Sequence, residues 1–242
     1  MAHAQSIKAF REAQYKSPRV AKARAKYAAT VKQLLEKAGL STNANLFIRA
    51  FKHEKVLEVW AAKNEPNARF QLLKTYPVCE IAGTFGPKRT EGDDQVPEGF
   101  YVLDRFNPQS TYHLSMGINY PNASDQYFGK QPYGSNIFIH GKCVTIGCLP
   151  LTDPLIEELY VLVLEANQVH QNGVPVHIFP CKFSAENRAE IVRAYQEFSE
   201  GTAPSKDLLK FWDNLQEGYS YFERNKKLPK VSVAGNGKYV FE

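Results

Sequence analysis

Between residues 46 and 179 the chain is written mainly in short β-branched and aromatic runs, and helical periodicity gathers towards its two ends. Residues 46–51, 56–60, 70–75 and 78–82 read as a β-meander punctuated by turn residues. Further strands are predicted at 100–104, at 111–120 with apolar and polar residues alternating, at 136–140 and at 174–179. The spacing predicts helices over 18–38 and 153–170, and two or three amphipathic helices from Ser184 onward, with Leu208, Leu209, Trp212 and Leu215 as one apolar face. Strands grouped in this way, with helices at both ends, indicate an α+β chain and argue against a doubly wound sheet.

Charge divides the chain unevenly. Residues 1–37 carry nine Lys or Arg against Glu12 and Glu36, a net of +7, and the rest of the chain, with 21 basic and 23 acidic residues, is −2 and close to neutral. A basic segment of this kind suits an anionic surface, or is simply a solvated helix. Ser17 followed by Pro18 is a fitting N-cap and first helical residue, and Ser184 and Ser205 are fitting caps further on. No run approaches the roughly 18 to 20 consecutive apolar residues of a membrane span. Four cysteines, Cys79, Cys143, Cys148 and Cys181, permit disulfides without requiring them, and none forms a C-x-x-C pair.

Residues 83–99 hold four glycines, two prolines and six charges with no apolar period. They form a long loop, and loops of that length in compact domains tend to be functional. The chemistry-bearing segment lies further on. A strand delivers His140 onto Gly141, a glycine-punctuated loop follows, and Cys148 sits just ahead of the helix start at Asp153-Pro154. A thiol is nucleophilic as thiolate, and an imidazole or a helix N-terminus are the usual means of lowering its pKa. Gly147 allows a sharp turn that would aim the amides of residues 147 and 148 at an oxyanion. Spacing alone leaves three readings open: a buried structural cysteine, a nucleophile, or a metal site using His140, Cys143 and Cys148.

His140-Gly141 followed by Thr145-Ile146-Gly147-Cys148 resembles the catalytic motif of the L,D-transpeptidase (YkuD) family, written His-Gly, a spacer, then Ser/Thr-x-Gly-Cys. The short spacer and the continuation into Leu151-Thr152-Asp153 resemble the YafK-like branch of murein-acting proteins. Two blocks agree: Gly86-Pro87-Lys88 with Glu91-Gly92-Asp93 and residues 97–101, and His113-Leu114 with residues 119–122 and Asp125. One position departs. The commoner motif places a second histidine before Gly-Cys, and this chain has Ile146.

The resemblance implies an L,D-transpeptidase-type, β-sandwich-like core. The chain then divides into a basic N-terminal helical segment at 1–43, a catalytic domain at 44–181 and a C-terminal helical extension at 182–242 packed on the core. It implies that Cys148 attacks the carbonyl on the L-centre of meso-diaminopimelate in a peptidoglycan stem peptide, giving a thioester. His140 would pair with the thiolate and handle protons, and the Gly141 carbonyl would orient the ring. Gly147, Thr145 and Ile146 would shape the oxyanion loop, with Thr145 bracing it through its hydroxyl. His113, Arg105, Tyr120, Asn122 and Lys88 are candidate substrate contacts, the cations for a carboxylate. No cofactor or metal is implied.

The partners implied are stem peptides and, in the YafK-like branch, a murein-anchored lipoprotein, so that the activity is expected to be hydrolytic more than crosslinking. True L,D-transpeptidation is the alternative within the family, and a non-catalytic murein-binding module is the alternative outside it. Nucleic-acid binding has only charge in its favour, since no aromatic stacking platform accompanies the lysines. The expected location is periplasmic, with the export signal absent from this sequence.

Overall fold

The computed structural model describes residues 2–134, 136–166 and 173–242, with side chains from residue 9 onward. The α+β class holds. The principal strands form one mixed sheet of eight in the order β3-β2-β1-β8-β4-β5-β6-β7. Strands β1 (Asn45–Phe51), β2 (Val56–Ala62) and β3 (Gln71–Pro77) make the expected antiparallel meander. β8 (Val174–Phe179) lies parallel to β1 and antiparallel to β4 (Gly99–Asn107). β5 (Ser115–Ile118), β6 (Phe138–His140) and the two-residue β7 (Leu149–Pro150) complete the far edge, the last two running parallel.

Both faces of the central strands are covered, which explains their nearly continuous apolar runs. Along β1, Leu46, Ile48 and Ala50 enter one core with α4 (Asp153–Glu165), whereas Phe47 and Phe51 face the C-terminal elements. Helix α4 is apolar on nearly all sides because it is enclosed between the sheet and α2 (Pro18–Lys37), which buries Val20, Ala23, Val31 and Leu35. On the opposite face α5 (Ala185–Phe198), α6 (Lys206–Asn225) and the hairpin β9 (Val231–Val233)/β10 (Tyr239–Phe241) close a second core around Phe100, Phe179, Trp212 and Tyr239.

The basic N-terminal segment is largely consumed inside the molecule. Arg11 donates to the carbonyls of Glu165 at 3.0 Å and Ala166 at 2.6 Å, satisfying the C-terminal end of α4. Arg24 pairs with Glu165 at 3.1 Å, Lys26 lies 3.9 Å from Glu157, and Arg19 binds backbone carbonyls of the 110–113 turn. These contacts favour a packing role over a free anionic-surface arm.

Several expectations are corrected. Residues 2–15 form a further helix, α1 (Ala2–Tyr15), and residues 123–128 a short one, α3 (Ala123–Phe128). Residues beyond Val78 leave the sheet, because the Cys79 amide bonds the Pro150 carbonyl at 2.9 Å and the Cys79 sulfur bonds that of Cys143. Of the strand expected at 111–120 only Ser115–Ile118 forms; His113, at φ +69°, turns the chain before it. The tail ends in a hairpin as well as helices. Ser184 and Ser205 do cap, accepting from the amides of Asn187 and Leu208, whereas Ser17 holds the N-cap position without a side-chain cap bond. The expected end of the 153–170 helix lies outside the described residues beyond 166. Among the described residues no helix is long and apolar enough to cross a membrane.

Candidate active site

Parallel pairing of β6 with β7 brings the two ends of the His140–Cys148 segment side by side: Ile139 is opposite Leu149, and His140 opposite Pro150. Cys148 directly precedes β7 and is half-buried. Its sulfur accepts the Phe138 amide proton at 3.4 Å and donates to the Asn136 carbonyl at 3.7 Å. Burial pushes the thiol pKa up, opposed by the Phe138 amide and the positive field of Lys88. His140 is 2% exposed. Burial pushes its pKa down, while the Gly141 carbonyl, 2.6 Å from Nδ1, acts the other way. Burial thus works against charge on both groups, and so against a thiolate–imidazolium pair in the free site. Desolvation penalises both ions.

Thr145 ties the nucleophile loop together through its hydroxyl. Its hydroxyl accepts from the amides of Gly147 at 3.0 Å and Cys148 at 2.8 Å and donates to the Cys148 carbonyl at 2.9 Å. The two amides expected to hold an oxyanion are thus engaged in the resting state. Gly147 has φ +133°, and a Cβ there would meet the Gln95 carbonyl at 2.8 Å, so the loop at 83–99 closes directly over the nucleophile turn. Ile146 projects outward, 77% exposed.

The candidate substrate contacts separate into two groups. Arg105, Gly117 and Phe138 are register partners across β4, β5 and β6. The Arg105 guanidinium lies 5.5 Å from the centre of the Phe138 ring, the residue whose amide reaches the sulfur. It pairs with the Asp104 carboxylate at 3.3 Å, donates to the Ile118 carbonyl at 2.5 Å and remains partly exposed.

Lys88 is committed to the Asp93 carboxylate at 2.7 Å and the Thr90 carbonyl at 2.9 Å, so it acts on the thiol through its field and is no free anion anchor. His113 bonds Glu157 of α4 at 2.8 Å. Tyr120 is buried, with its hydroxyl on the Tyr133 carbonyl at 3.1 Å. Asn122 caps α3 in a reciprocal box with Asp125 and donates to Phe100 and Tyr239. The last two are engaged in hydrogen bonds of the fold around the site.

Other site residues were not singled out from the sequence. The Tyr112 ring packs against His140 with centroids 4.7 Å apart, and Asp153 accepts from the Lys142 amide at 2.9 Å. Tyr112 adjoins His113, and proximity to a flagged block was its only sequence signal. Cys79 and Cys143 form a disulfide that ties the nucleophile loop to the segment after β3. With its sulfur bonded to Cys79, Cys143 is not the thiolate ligand that a metal reading required.

Residues 52–178 match the model of the L,D-transpeptidase catalytic domain, YkuD, over more than half of the chain. This chain belongs to the L,D-transpeptidase family. It is also 36% identical over 197 residues, 81% of its length and 73% of the relative's, to an Escherichia coli K12 protein named "Putative L,D-transpeptidase YafK". Among solved structures, this L,D-transpeptidase-family chain aligns with the helical cell shape determining protein Pgp2 of Campylobacter jejuni at 21% identity, over 84% of this chain and 80% of that one, with a TM-score of 0.45. It aligns with Bdellovibrio bacteriovorus Bd1075 at 21% identity over 79% and 75% of the two chains, with a TM-score of 0.43.

Proposed function

We propose that this chain is a cysteine-dependent, peptidoglycan-acting hydrolase that cleaves the amide at the L-centre of meso-diaminopimelate in stem peptides, as an amidase releasing a murein-linked protein or peptide or as an L,D-carboxypeptidase. The observation that carries the reading is the Cys148 sulfur, set between the Phe138 amide and the Asn136 carbonyl on a Thr145-locked loop, beside a strand ending in an imidazole oriented by the Gly141 carbonyl. A neutral His140 is in the form needed to take a proton.

In this scheme the thiol swings from the Asn136 carbonyl toward His140 Nε2, which removes its proton as sulfur attacks the amide carbonyl. The imidazolium then protonates the leaving amine, and the thioester remains on Cys148. Water, deprotonated by His140, releases the acid. The Phe138 amide stabilises negative charge on sulfur, and use of the Gly147 and Cys148 amides for the oxyanion requires Thr145 to give them up. Arg105 supplies a cation for a substrate carboxylate. A disulfide in the nucleophile loop supports an oxidising compartment, consistent with a periplasmic protein. A murein-anchored lipoprotein is one source of the leaving amine.

Murein incubated with the protein and analysed by mass spectrometry should lose diaminopimelate-linked adducts or terminal residues, and Cys148→Ala should abolish the loss without lowering thermal stability. Undiminished turnover by Cys148→Ala would refute the scheme, and newly joined stem peptides would assign transpeptidation in place of hydrolysis. A second reading, a murein-binding module without turnover, is favoured by the burial that pushes the Cys148 thiol pKa up. It predicts murein pull-down with no acyl-enzyme mass on Cys148.

A further inference from the structure

We propose that Arg19, on the N-terminal helix α2 and outside the matched catalytic domain, is a positioning residue for His140. Its guanidinium donates to the carbonyl of Ser110 at 2.8 Å and to that of His113, closing the turn between β4 and β5. That turn needs holding, since His113 is a non-glycine residue at φ +69°.

The turn is the wall against which the His140-Gly141 corner is built. The Gly141 amide donates to the Leu114 carbonyl at 3.1 Å. A Cβ on Gly141 would lie 2.9 Å from the Tyr112 carbonyl oxygen and 2.9 Å from His113 Cβ, so the Gly141 backbone is packed directly against the turn. The Tyr112 ring covers the imidazole with centroids 4.7 Å apart, and Gly141 in turn presents its carbonyl to Nδ1 at 2.6 Å. On the far side the His113 ring is held by Glu157 at 2.8 Å, with Asp153 3.9 Å away and Lys26 near Glu157 at 3.9 Å. Two anchors therefore fix the turn: α4 through the ring of His113, and α2 through its carbonyl. Arg19 is the only one of the nine basic residues in this segment seen to reach into that turn among the described side chains.

The role of Arg19 in turnover rests on the hydrolase reading, whereas its effect on the imidazole does not. The test uses the full-length protein with Arg19→Ala and Arg19→Lys, and follows the His140 ring by NMR titration with assignment by His140→Gln. Loosening the turn lets water reach the ring, which relieves the penalty on its charged form, so the His140 midpoint should rise towards the ordinary value near 6.5 in Arg19→Ala. Arg19→Lys, with a single ammonium for two carbonyls, should fall between Ala and wild type. Stem-peptide cleavage should drop on the order of tenfold in kcat in Arg19→Ala, since small misplacements of a reacting group are costly.

An unchanged His140 midpoint in a folded Arg19→Ala protein overturns the proposal. If that variant does not fold, Arg19→Lys is decisive, and a midpoint equal to wild type counts against. A shifted midpoint in a wild-type background that never cleaves murein would leave the positioning role standing and sink the hydrolase reading.

Discussion

Thr145 and Cys148 exchange a reciprocal pair of hydrogen bonds: the hydroxyl takes the Cys148 amide proton at 2.8 Å and returns its own to the Cys148 carbonyl at 2.9 Å. The nucleophile's backbone is thereby fixed by a side chain three residues earlier. Thr145→Val keeps the shape and removes all three bonds of that hydroxyl. It should cost about 1–3 kcal/mol in thermal or denaturant unfolding and lower kcat on the order of tenfold or more, whereas Thr145→Ser should keep most of both. A Val variant as active as wild type would show that the brace is dispensable and the amides are better free.

Opposite pKa directions at the two reacting groups make a pH prediction. Burial raises the Cys148 thiol and lowers His140, so at neutral pH both are uncharged. Alkylation of Cys148 by iodoacetamide, read by mass, should be slow near pH 7 and climb only as pH passes the ordinary thiol value, with no fast plateau on the acid side. In turnover, the acid limb tracks protonation of His140 and should lie below pH 6.5, the unperturbed imidazole value. A rapid thiol reaction at pH 6 would reveal an ion pair that forms despite burial.

The fully buried Lys52–Glu98 pair, at 2.8 Å, fastens both ends of the loop that overlies the nucleophile turn. Lys52 also donates to the carbonyl of Gly86 at 2.8 Å, and Glu98 accepts from the Gly86 amide at 2.9 Å and from the Trp212 indole at 2.8 Å. Lys52→Met would strand a carboxylate without solvent and should destabilise by about 3–5 kcal/mol in denaturant unfolding. A loss under 1 kcal/mol would mean that water reaches Glu98.

Cys79 and Cys143 are 64 residues apart in sequence. A crosslink closing a loop of that size restricts the unfolded chain by about 4 kcal/mol. The double variant Cys79→Ser/Cys143→Ser should unfold at correspondingly lower denaturant and should give the nucleophile loop faster amide hydrogen exchange than α4. Equal midpoints with and without reductant in the wild-type protein would indicate that the bridge adds no stability.

Local patterns made much of this molecule legible. The β1–β2–β3 meander, α2 and α4 follow from apolar periodicity, and His140 and Cys148 from a strand end, a glycine-rich loop and a family motif. What escaped depends on partners distant in sequence. Nothing local tells that Arg19 will bind the 110–113 turn, that Cys79 will leave the meander for Cys143, or that Asn122 will cap a short helix and bond Tyr239. The electrostatics escaped for the same reason: residue types suggest an ion pair, while burial raises the thiol pKa and lowers that of the imidazole.

Gly117 is a gap through which a charge is laid down. A Cβ there would sit 2.6 Å from Arg105 Nε and 2.9 Å from the edge of the Phe138 ring. With nothing rising from that strand, the guanidinium lies over Gly117 and against the Phe138 ring, whose amide reaches the sulfur. One methyl group would push the arm off the strand, so the resting place of this cation is kept by the smallest residue beneath it.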